Sequence, residues 1–344
     1  MLPPFSLVFG FLVGDLMKKA DCLKIVITGG AGFIGSSVVR HLNDLGFHNL
    51  VIVDELRRTE KWKNLVGKHF ADVISKAVLF DWLKGRDSSI SAFIHLGACS
   101  DTMELDASYL LENNYRFSVK LAEYALNHGQ RFIYASSAAT YGDGLQGFVD
   151  DEKKLYSLHP LNMYGFSKQL FDQWAFHEGV LDKLVGLKYF NVFGPNEAHK
   201  GRMASAITRM VPQVLTGEKV KLFKSSQPDL FADGEQKRDF IYVKDAARMT
   251  CAFLNNQAGG IYNIGSACAS TWNALALAVY RALDRPPQIE YVDMPVELLN
   301  KYQNYSCADM KKTVQVLGKE TVCLPLEDAV FDYVRHHLIP GKLW

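Results

Sequence analysis

Tyr164 and Lys168 are the two residues of this chain whose types and spacing best suit chemistry. The sequence predicts that both lie in the first turns of a helix, where positions i and i+4 share one face and can reach one substrate. A free tyrosine has a pKa of about 10, and a neighbouring lysine ammonium lowers that pKa because it stabilises the phenolate. Such a pair can take a proton from an alcohol while hydride leaves the same carbon. A chance pair on a helix surface is the alternative, and the surrounding sequence has to decide between the two.

A glycine-rich turn follows residues 24–28, an apolar run that we predict to be a buried strand. Gly30, Gly32 and Gly35 fit the pattern G-x-G-x-x-G. Glycines allow a tight turn and let the backbone approach a pyrophosphate, which then sits at the N-terminus of a helix that we expect to start near Phe33. The segment therefore predicts a phosphate-binding turn.

An acidic residue stands where a dinucleotide site needs one. The next apolar run, residues 50–53, ends in Asp54, about 20 residues after the glycines, where an acid can hold an adenosine ribose. A bare glycine motif also arises by chance in loops. Strand, glycines, helix and acid in this order favour a dinucleotide site.

Ser137 ends a third apolar run, residues 131–137, which also reads as a strand. In open α/β sheets ligands bind beyond the carboxyl ends of the strands, so Ser137 can hydrogen-bond the reacting oxygen. Its alternative is an ordinary turn serine. The order Ser137, Tyr164, Lys168 favours the functional interpretation.

The wider pattern predicts an α/β fold. From residue 24 to about residue 191, apolar strands alternate with amphipathic helices, which implies a doubly wound parallel (Rossmann) sheet. We expect a dinucleotide-binding Rossmann domain at residues 23–193. A smaller, sequence-interleaved C-terminal substrate lobe should occupy most of residues 194–344. Segments near residues 240–265, namely 240–243 and 261–264, are expected to return to the main sheet.

The composition fits a globular enzyme of 344 residues, 48% hydrophobic and 22% charged, with a formal net charge of +1. No basic excess points to nucleic acid. The six cysteines stand at positions 22, 99, 251, 268, 307 and 323 without C-x-x-C spacing. We therefore expect reduced thiols of a cytoplasmic protein, with neither a metal site nor a disulfide framework.

The first 22 residues are a separate case, because residues 3–13 are apolar. That run is too short to span a membrane. Lys18 and Lys19 follow the run, whereas a signal peptide carries its positive charge first. We expect residues 1–22 to be a flexible or loosely packed extension, with a membrane tether as the less favoured alternative.

Together these motifs resemble the extended short-chain dehydrogenase/reductase superfamily and, within it, the ADP-L-glycero-D-manno-heptose 6-epimerase family. The superfamily resemblance is carried by residues 28–36, 97–100, 113–115, 135–142 and 189–195. The narrower resemblance is carried by residues 199–201, 203–205, 237–240 and 301–303. It implies inversion of C6 in the heptose of ADP-D-glycero-beta-D-manno-heptose by transient hydride transfer to bound NADP. It also implies synthesis of a lipopolysaccharide inner-core precursor in the cytoplasm, by a homo-oligomer described as a pentamer for the family.

Such a reaction needs two proton carriers. An unactivated carbinol carbon has no neighbouring carbonyl to acidify its C–H bond, so hydride must leave and return. Because the nicotinamide is fixed, the substrate must present opposite faces in the two half-reactions. By resemblance Tyr164 serves one face, with Lys168 and Ser137, and Lys200 serves the other. Without the resemblance Lys200 would be a solvated loop lysine, and a base role requires desolvation or nearby positive charge.

The residues leave the choice of cofactor open. Asp54 suits the 2′-hydroxyl of NAD, whereas Arg57, Arg58 and Lys61 suit the 2′-phosphate of NADP or form an ordinary solvated surface. The resemblance favours NADP, although Glu55 stands where relatives usually have Asn and would repel a phosphate unless it turns away. By resemblance the cofactor is lined by Gly29, Gly32, Phe33, Ile34, Gly35, Asp54, Glu55, Lys61, Lys76, Leu96, Gly97, Ala98, Cys99, Ser100, Asn113, Lys168 and Val192.

The substrate implied by the resemblance is a nucleotide diphosphate-sugar. Its binding residues are then Asn191, Arg202, Arg209, Phe223, Arg238 and Tyr302. Arg238 best suits a bidentate grip on the diphosphate. Arg202 replaces a family serine, and residues 224–236 form a longer segment than usual.

Three other functions remain open at this point. The first is another nucleotide-sugar epimerase or a 4,6-dehydratase, although a dehydratase should carry an acidic pair in place of Ala139 and Thr140. The second is a net reductase, which would consume NADPH. The third is a catalytically silent NADP-binding scaffold, against which the intact Ser137, Tyr164 and Lys168 argue.

Overall fold

The computed structural model describes residues 23–296 and 302–344. The predicted extension at residues 1–22 and Lys301 of the narrower motif lie outside this part. None of the described helices combines the length and the apolar composition needed to cross a bilayer.

The chain alternates short strands with helices over most of its length. The strands are β1 (Lys24–Thr28), β2 (Leu50–Val53), β3 (Asp72–Ile74), β4 (Ile90–His95), β5 (Arg131–Ser137), β6 (Leu184–Tyr189), β7 (Asn191–Phe193), β8 (Val220–Phe223), β9 (Lys237–Tyr242), β10 (Gly260–Ile264), β11 (Ala269–Thr271) and β12 (Ile289–Val292). Within the described residues the α-helices are α1 (Phe33–Asp44), α2 (Leu79–Leu83), α3 (Ala107–Leu110), α4 (Phe117–Asn127), α5 (Met163–His177), α6 (Ile207–Thr216), α7 (Val243–Ala252), α8 (Trp272–Ala282), α9 (Lys311–Leu317) and α10 (Leu326–Asp332).

A seven-stranded sheet forms the centre of the fold, in the order β10-β6-β5-β4-β1-β2-β3. Every neighbouring pair in it is parallel. This confirms the predicted doubly wound sheet. All carboxyl ends lie along one edge, so the residues that follow β1, β2, β4 and β5 share that edge.

Helices cover both faces of this sheet, which explains why its strands read as continuous apolar runs. On one face α1 and α7 pack against β2, with Val38, Ala247 and Ile52 fully buried. On the other face α4 and α5 pack through the buried Leu121 and Phe171.

Two small sheets lie outside the main one. β9 pairs in parallel with β7 and antiparallel with β11, and β8 pairs in parallel with β12. Residues 261–264 do lie in the main sheet as β10, but the same prediction for residues 240–243 is wrong. β7 leaves the main sheet directly after β6, and β9 pairs with it there.

Candidate active site

The turn between β1 and α1 packs so tightly that Gly29 and Gly35 have no room for a side chain. Gly29 has a φ of 69°, and a Cβ on Gly35 would lie 2.0 Å from the carbonyl oxygen of Gly29. Helix α1 begins at Phe33, and Gly32 before it provides no side-chain cap for the first backbone N–H groups. Free N–H groups at the positive end of a helix suit an anion. The turn therefore fits the pyrophosphate of a dinucleotide.

Asp54 lies directly after β2, at the same edge of the sheet. Its Oδ2 accepts a hydrogen bond from the backbone N–H of Ala31 at 2.9 Å. Its Oδ1 accepts from Lys61 Nζ at 2.6 Å and from the backbone N–H of Glu55 at 2.7 Å. The carboxylate is thus fixed against the glycine turn, and Lys61 neutralises its charge.

The Glu55 carboxylate is hydrogen-bonded at the end of the neighbouring strand, β3. Ser75, just after β3, donates to Glu55 Oε1 at 2.5 Å. This hydrogen bond is the main cause that holds the pKa of Glu55 below its ordinary value. Arg57 and Arg58 follow in the loop and are exposed.

The loop after β4 closely approaches the glycine turn. A Cβ on Gly29 would lie 2.7 Å from the Cα of Gly97. Asn114 holds the loop from the other side, because it accepts from the Cys99 N–H at 2.8 Å and donates to the Cys99 carbonyl at 2.9 Å. Residues 96–100 are therefore fixed beside the turn.

A wide π-type turn, Leu111–Arg116, joins α3 to α4. Such turns are frequent at functional sites. It carries Asn113, whose Oδ1 accepts from Lys76 Nζ at 2.5 Å. Two residues that the resemblance assigns to the cofactor are thus joined.

Tyr164 lies in the first turn of α5, near Ser137 at the end of β5. Asn162 caps the helix by accepting from the N–H of Gly165 at 2.8 Å. The helix packs tightly on the turn after β5, since a Cβ on Gly165 would lie 2.8 Å from the carbonyl oxygen of Ala139. Burial raises the pKa of Tyr164, and a hydrogen bond with Ser137 opposes this effect. Helix and strand together place Tyr164 and Ser137 at the same edge of the sheet.

Lys168 is buried one helix turn further along. Its Nζ donates to the carbonyl oxygen of Ala135 at 2.8 Å. Burial lowers the pKa of Lys168 to about 8, with the charge of Asp172 acting in the opposite direction. The expected lowering of the Tyr164 pKa by Lys168 does not occur in this arrangement, because burial dominates at the phenol and the ammonium is bound to the strand.

Lys200 lies in a loop that is braced at its base. The buried Glu197 carboxylate accepts from the Ser205 N–H at 2.7 Å and from Ser205 Oγ at 2.6 Å. Burial lowers the pKa of Lys200, and the Glu197 charge opposes this. The Lys200 Nζ lies 5.4 Å from the ring centroid of Phe33, at the start of α1. The loop therefore brings a partly buried lysine to the glycine turn.

Three residues that the sequence analysis missed hold this loop. Asn64 Nδ2 lies 3.2 Å from His199 Nδ1 and donates to the Asn196 carbonyl at 3.1 Å. The Asn196 side chain accepts from the Trp344 N–H at 2.9 Å and donates to the Trp344 carbonyl at 3.1 Å. No local motif marks these contacts, because they join distant parts of the chain.

Arg238, Tyr302 and Phe223 come together in the C-terminal lobe. The buried Arg238 guanidinium lies 4.8 Å from the ring centroid of Tyr302 and 6.0 Å from that of Trp272. The Phe223 and Tyr302 rings meet edge to face, with centroids 6.4 Å apart. Burial lowers the pKa of Arg238. A cation among aromatic rings suits a diphosphate joined to a flat base, and Trp272 was not anticipated.

The remaining predicted substrate residues are spread more widely. Asn191 Nδ2 donates to the Asp239 carbonyl at 3.2 Å, between β7 and β9. Arg202 is exposed and pairs with Asp101 at 2.8 Å, and Arg209 donates to the Arg202 carbonyl at 3.3 Å. The two arginines form a separate group on the outside of the Lys200 loop.

Comparison with known proteins gives this arrangement a context. A family model described as the NAD dependent epimerase/dehydratase family matches residues 25–265. A protein of Nitratidesulfovibrio vulgaris (strain DP4) named ADP-L-glycero-D-manno-heptose-6-epimerase is 49% identical over 316 residues, which cover 91% of this chain and 97% of the relative. A protein of the same name from Fusobacterium nucleatum subsp. nucleatum is 42% identical, with coverages of 91% and 98%.

Two solved epimerase structures share the fold of this chain. The Helicobacter pylori ADP-L-glycero-D-manno-heptose-6-epimerase superposes with a TM-score of 0.77 at 29% identity, covering 92% of this chain and 96% of that one. A UDP-N-acetylglucosamine 4-epimerase from Methanobrevibacter ruminantium M1 gives 0.74 at 25% identity, with coverages of 93% and 99%.

Proposed function

Because this chain belongs to the NAD dependent epimerase/dehydratase family, we propose that it converts ADP-D-glycero-beta-D-manno-heptose to ADP-L-glycero-beta-D-manno-heptose by inverting C6. The 49% identity to a heptose epimerase over 91% of the chain supports this substrate. The observation that carries the chemistry is the placement of Ser137 at the end of β5 and of Tyr164 and Lys168 in the first turns of α5, at the edge of the sheet that also bears the glycine turn.

The glycine turn fits a nicotinamide dinucleotide, because its tight backbone packing at Gly29 and Gly35 places the uncapped N-terminus of α1 at the end of β1, where a pyrophosphate binds. A nicotinamide held at this turn would supply reversible hydride transfer at C6. The reaction therefore has no net oxidation.

In one presentation of the substrate, Tyr164 takes the proton of the C6 hydroxyl during oxidation or, in the reverse direction, gives a proton to the C6 oxygen during reduction. In the other presentation Lys200 does the same. Ser137 holds the reacting oxygen and stabilises the phenolate. Lys168, with a pKa of about 8, is mostly cationic at neutral pH and supplies a positive charge one helix turn away. These three groups serve one presentation of the substrate.

Lys200 serves the opposite presentation. Its burial lowers the pKa of the amine, which favours the neutral form that a base requires. Its loop is held by Glu197 and Ser205, so the amine can meet the substrate with little reorganisation.

The cofactor of this proposal is NADP, with NAD as the alternative. Lys61 neutralises Asp54, and together with Arg57 and Arg58 it offers positive charge to a 2′-phosphate. Ser75 engages Glu55, which reduces the repulsion expected from that carboxylate.

On the substrate side, Arg238 binds the diphosphate and Tyr302 stacks on the nucleotide base, which their mutual contact supports. The proposed substrate lobe is residues 194–344 without α7 and β10, which pack with the Rossmann domain. The family resemblance supports a cytoplasmic homo-oligomer, a pentamer, that makes a lipopolysaccharide inner-core precursor.

A panel of ADP-, UDP- and GDP-linked sugars tests this function. We expect a new C6 stereoisomer from the ADP-heptose without net change in nicotinamide absorbance. Inversion at C4 of a UDP-sugar would instead favour another nucleotide-sugar epimerase, as the likeness to the M. ruminantium enzyme allows. Steady loss of NADPH absorbance would indicate a reductase.

A further inference from the structure

A buried ion pair lies directly behind the reacting groups. Lys188 Nζ donates to Asp172 Oδ2 at 2.8 Å, and both side chains are almost fully buried. Asp172 also accepts from Tyr134 OH at 2.9 Å and from Ser136 Oγ at 2.7 Å. Lys188 also donates to Thr140 Oγ1 at 2.6 Å. The Asp172 carboxylate and the Lys188 ammonium therefore each make further hydrogen bonds besides the ion pair.

This network joins the elements that carry the reacting groups. Asp172 follows Lys168 by one turn of α5, and Lys188 belongs to β6. Thr140 lies in the short turn Ala138–Tyr141 after β5, and its hydroxyl donates a hydrogen bond to the Ser137 carbonyl at 2.8 Å. The ion pair thus links α5 to the backbone of Ser137.

Stability alone does not explain such a pair. Removing two charges from water costs much of what their attraction returns, and apolar replacements of buried pairs are often neutral or stabilising. A fully bonded network does, however, select one arrangement of the elements it joins. Here the network fixes the position of the first turns of α5 relative to the Ser137 hydroxyl.

We propose that Asp172, Lys188 and Thr140 are positioning residues, which keep Ser137 in register with Tyr164 and maintain the positive charge of Lys168. The inference rests on the proposed function, since it assigns these residues to the same reaction. It gives the network two separable effects: Thr140 acts on geometry, and Asp172 acts on both geometry and charge.

The charge effect has a definite direction. Burial lowers the pKa of Lys168 to about 8, and Asp172 and, to a smaller extent, Cys99 oppose this lowering. Asp172 lies on the same helix, Cys99 lies in the loop after β4, and the buried His95 at the end of β4 also interacts with Lys168. Loss of the Asp172 charge should lower the Lys168 pKa further, so Lys168 should lose its proton at lower pH. As the pH is raised, activity and cofactor affinity that depend on the ammonium should then begin to fall at a lower pH than in the wild-type protein.

Three variants separate these effects. Asp172→Asn removes the charge, and Thr140→Val removes the hydroxyl with little change of shape. Asp332→Asn is the matched control, because Asp332 also accepts from a tyrosine and a lysine, Tyr242 and Lys244, but belongs to α10. The measurements are kcat, KM and NADP affinity by calorimetry, each from pH 6 to pH 10, on variants shown to fold by circular dichroism.

Asp172→Asn should lower kcat at least about 10-fold and move the alkaline limb of both profiles to lower pH, because small misplacements of reacting groups are costly. Thr140→Val should lower kcat with KM little changed and leave the limb in place. If Asp172→Asn does not fold, Thr140→Val still decides the positioning role. Wild-type kcat in folded Thr140→Val, or an unmoved alkaline limb in folded Asp172→Asn, would overturn the proposal.

Failure of the proposed function would show differently, as lack of turnover by the wild-type protein. The pH dependence of NADP binding would still test the charge effect.

Discussion

At the scale of single residues, burial controls the charge of the reacting groups. It raises the pKa of Tyr164 and lowers those of Lys168 and Lys200. In each case desolvation favours the neutral form. An amine that is partly neutral near the working pH can accept a proton, as the role proposed for Lys200 requires.

Tyr164→Phe should preserve the fold and cofactor binding but lower kcat at least about 10²-fold, the usual size for a lost acid or base. The reason is that only the hydroxyl is removed from a helix held by Asn162 and Gly165. Steady-state kinetics measure the effect, and Tyr156→Phe is the control because Tyr156 is 59% exposed. Near-normal turnover by correctly folded Tyr164→Phe would reject the assignment.

Lys200→Met should impair epimerisation severely while leaving the Tyr164-dependent redox chemistry at least partly competent. A 6-aldehyde analogue isolates that chemistry, because one molecule is reduced to the alcohol while another, as its hydrate, is oxidised to the acid. Lys63→Met is a control at an exposed lysine.

The kinetics of Lys200→Met also separate two roles of this residue. If Lys200 only holds substrate, its loss should raise KM with kcat little changed. Epimerisation at the wild-type rate under saturating substrate would contradict two proton carriers, and Tyr164 would then serve both faces.

At the scale of elements, the carboxyl ends of the parallel strands bring together residues that are distant in sequence. Asp54 after β2 and Ser75 after β3 meet the loop that carries Lys61. Because this geometry belongs to the sheet, the site at each strand end could be predicted once the strands were recognised. The partners that turn Glu55 toward Ser75 could not, since they depend on side-chain geometry.

Replacing Arg57, Arg58 and Lys61 by alanine should weaken NADP binding far more than NAD binding. Charge-assisted hydrogen bonds to a phosphate contribute roughly 1.5 to 3 kcal/mol each. Calorimetric titration with both cofactors measures the difference, and Lys63→Ala serves as control in the same turn. Equal losses for the two cofactors would return the three residues to an ordinary solvated surface.

His95 joins β4 to its neighbours as a neutral ring. Thr28 Oγ1 accepts from the Gly97 N–H at 3.0 Å and lies 2.6 Å from His95 Nδ1. Ser118 Oγ donates to the Asn114 carbonyl at 2.6 Å and lies 2.8 Å from His95 Nε2. Because the Ser118 hydroxyl already donates to Asn114, it can only accept a hydrogen bond from His95. Nε2 therefore carries the ring proton, and Nδ1 accepts a hydrogen bond from the Thr28 hydroxyl. Burial lowers the pKa of His95 to about 3.

This pKa predicts an acid-sensitive fold. Between pH 6.5, the ordinary pKa of the ring, and about 3, the unfolded state binds more protons than the folded state. The stability contributed by neutral His95 is therefore complete above pH 6.5 and is lost as the pH falls, with a slope of up to about 1.4 kcal/mol per pH unit. His95→Gln should flatten this slope in denaturant unfolding, and the exposed His48→Gln should not. An unchanged slope in His95→Gln would contradict the assignment.

At the scale of the whole molecule, contiguous patterns were the predictable part. The glycine turn could be predicted because the strand, the turn and the helix follow one another, with Asp54 after the next strand. The position of β9 could not, because nothing in residues 237–242 records that β7 leaves the main sheet. The same holds for Trp344, which meets Asn196 across 148 residues.

The central claim is that C6 is inverted by removal and return of the same hydride within one active site. The most direct measurement uses ADP-D-glycero-beta-D-manno-heptose carrying deuterium at C6, in ordinary water, with NMR analysis of the product. We predict that the ADP-L-glycero product retains the deuterium and that total nicotinamide absorbance stays constant. Replacement of the deuterium by solvent hydrogen during inversion would contradict the account, because the C–H bond would then break by proton transfer to the solvent.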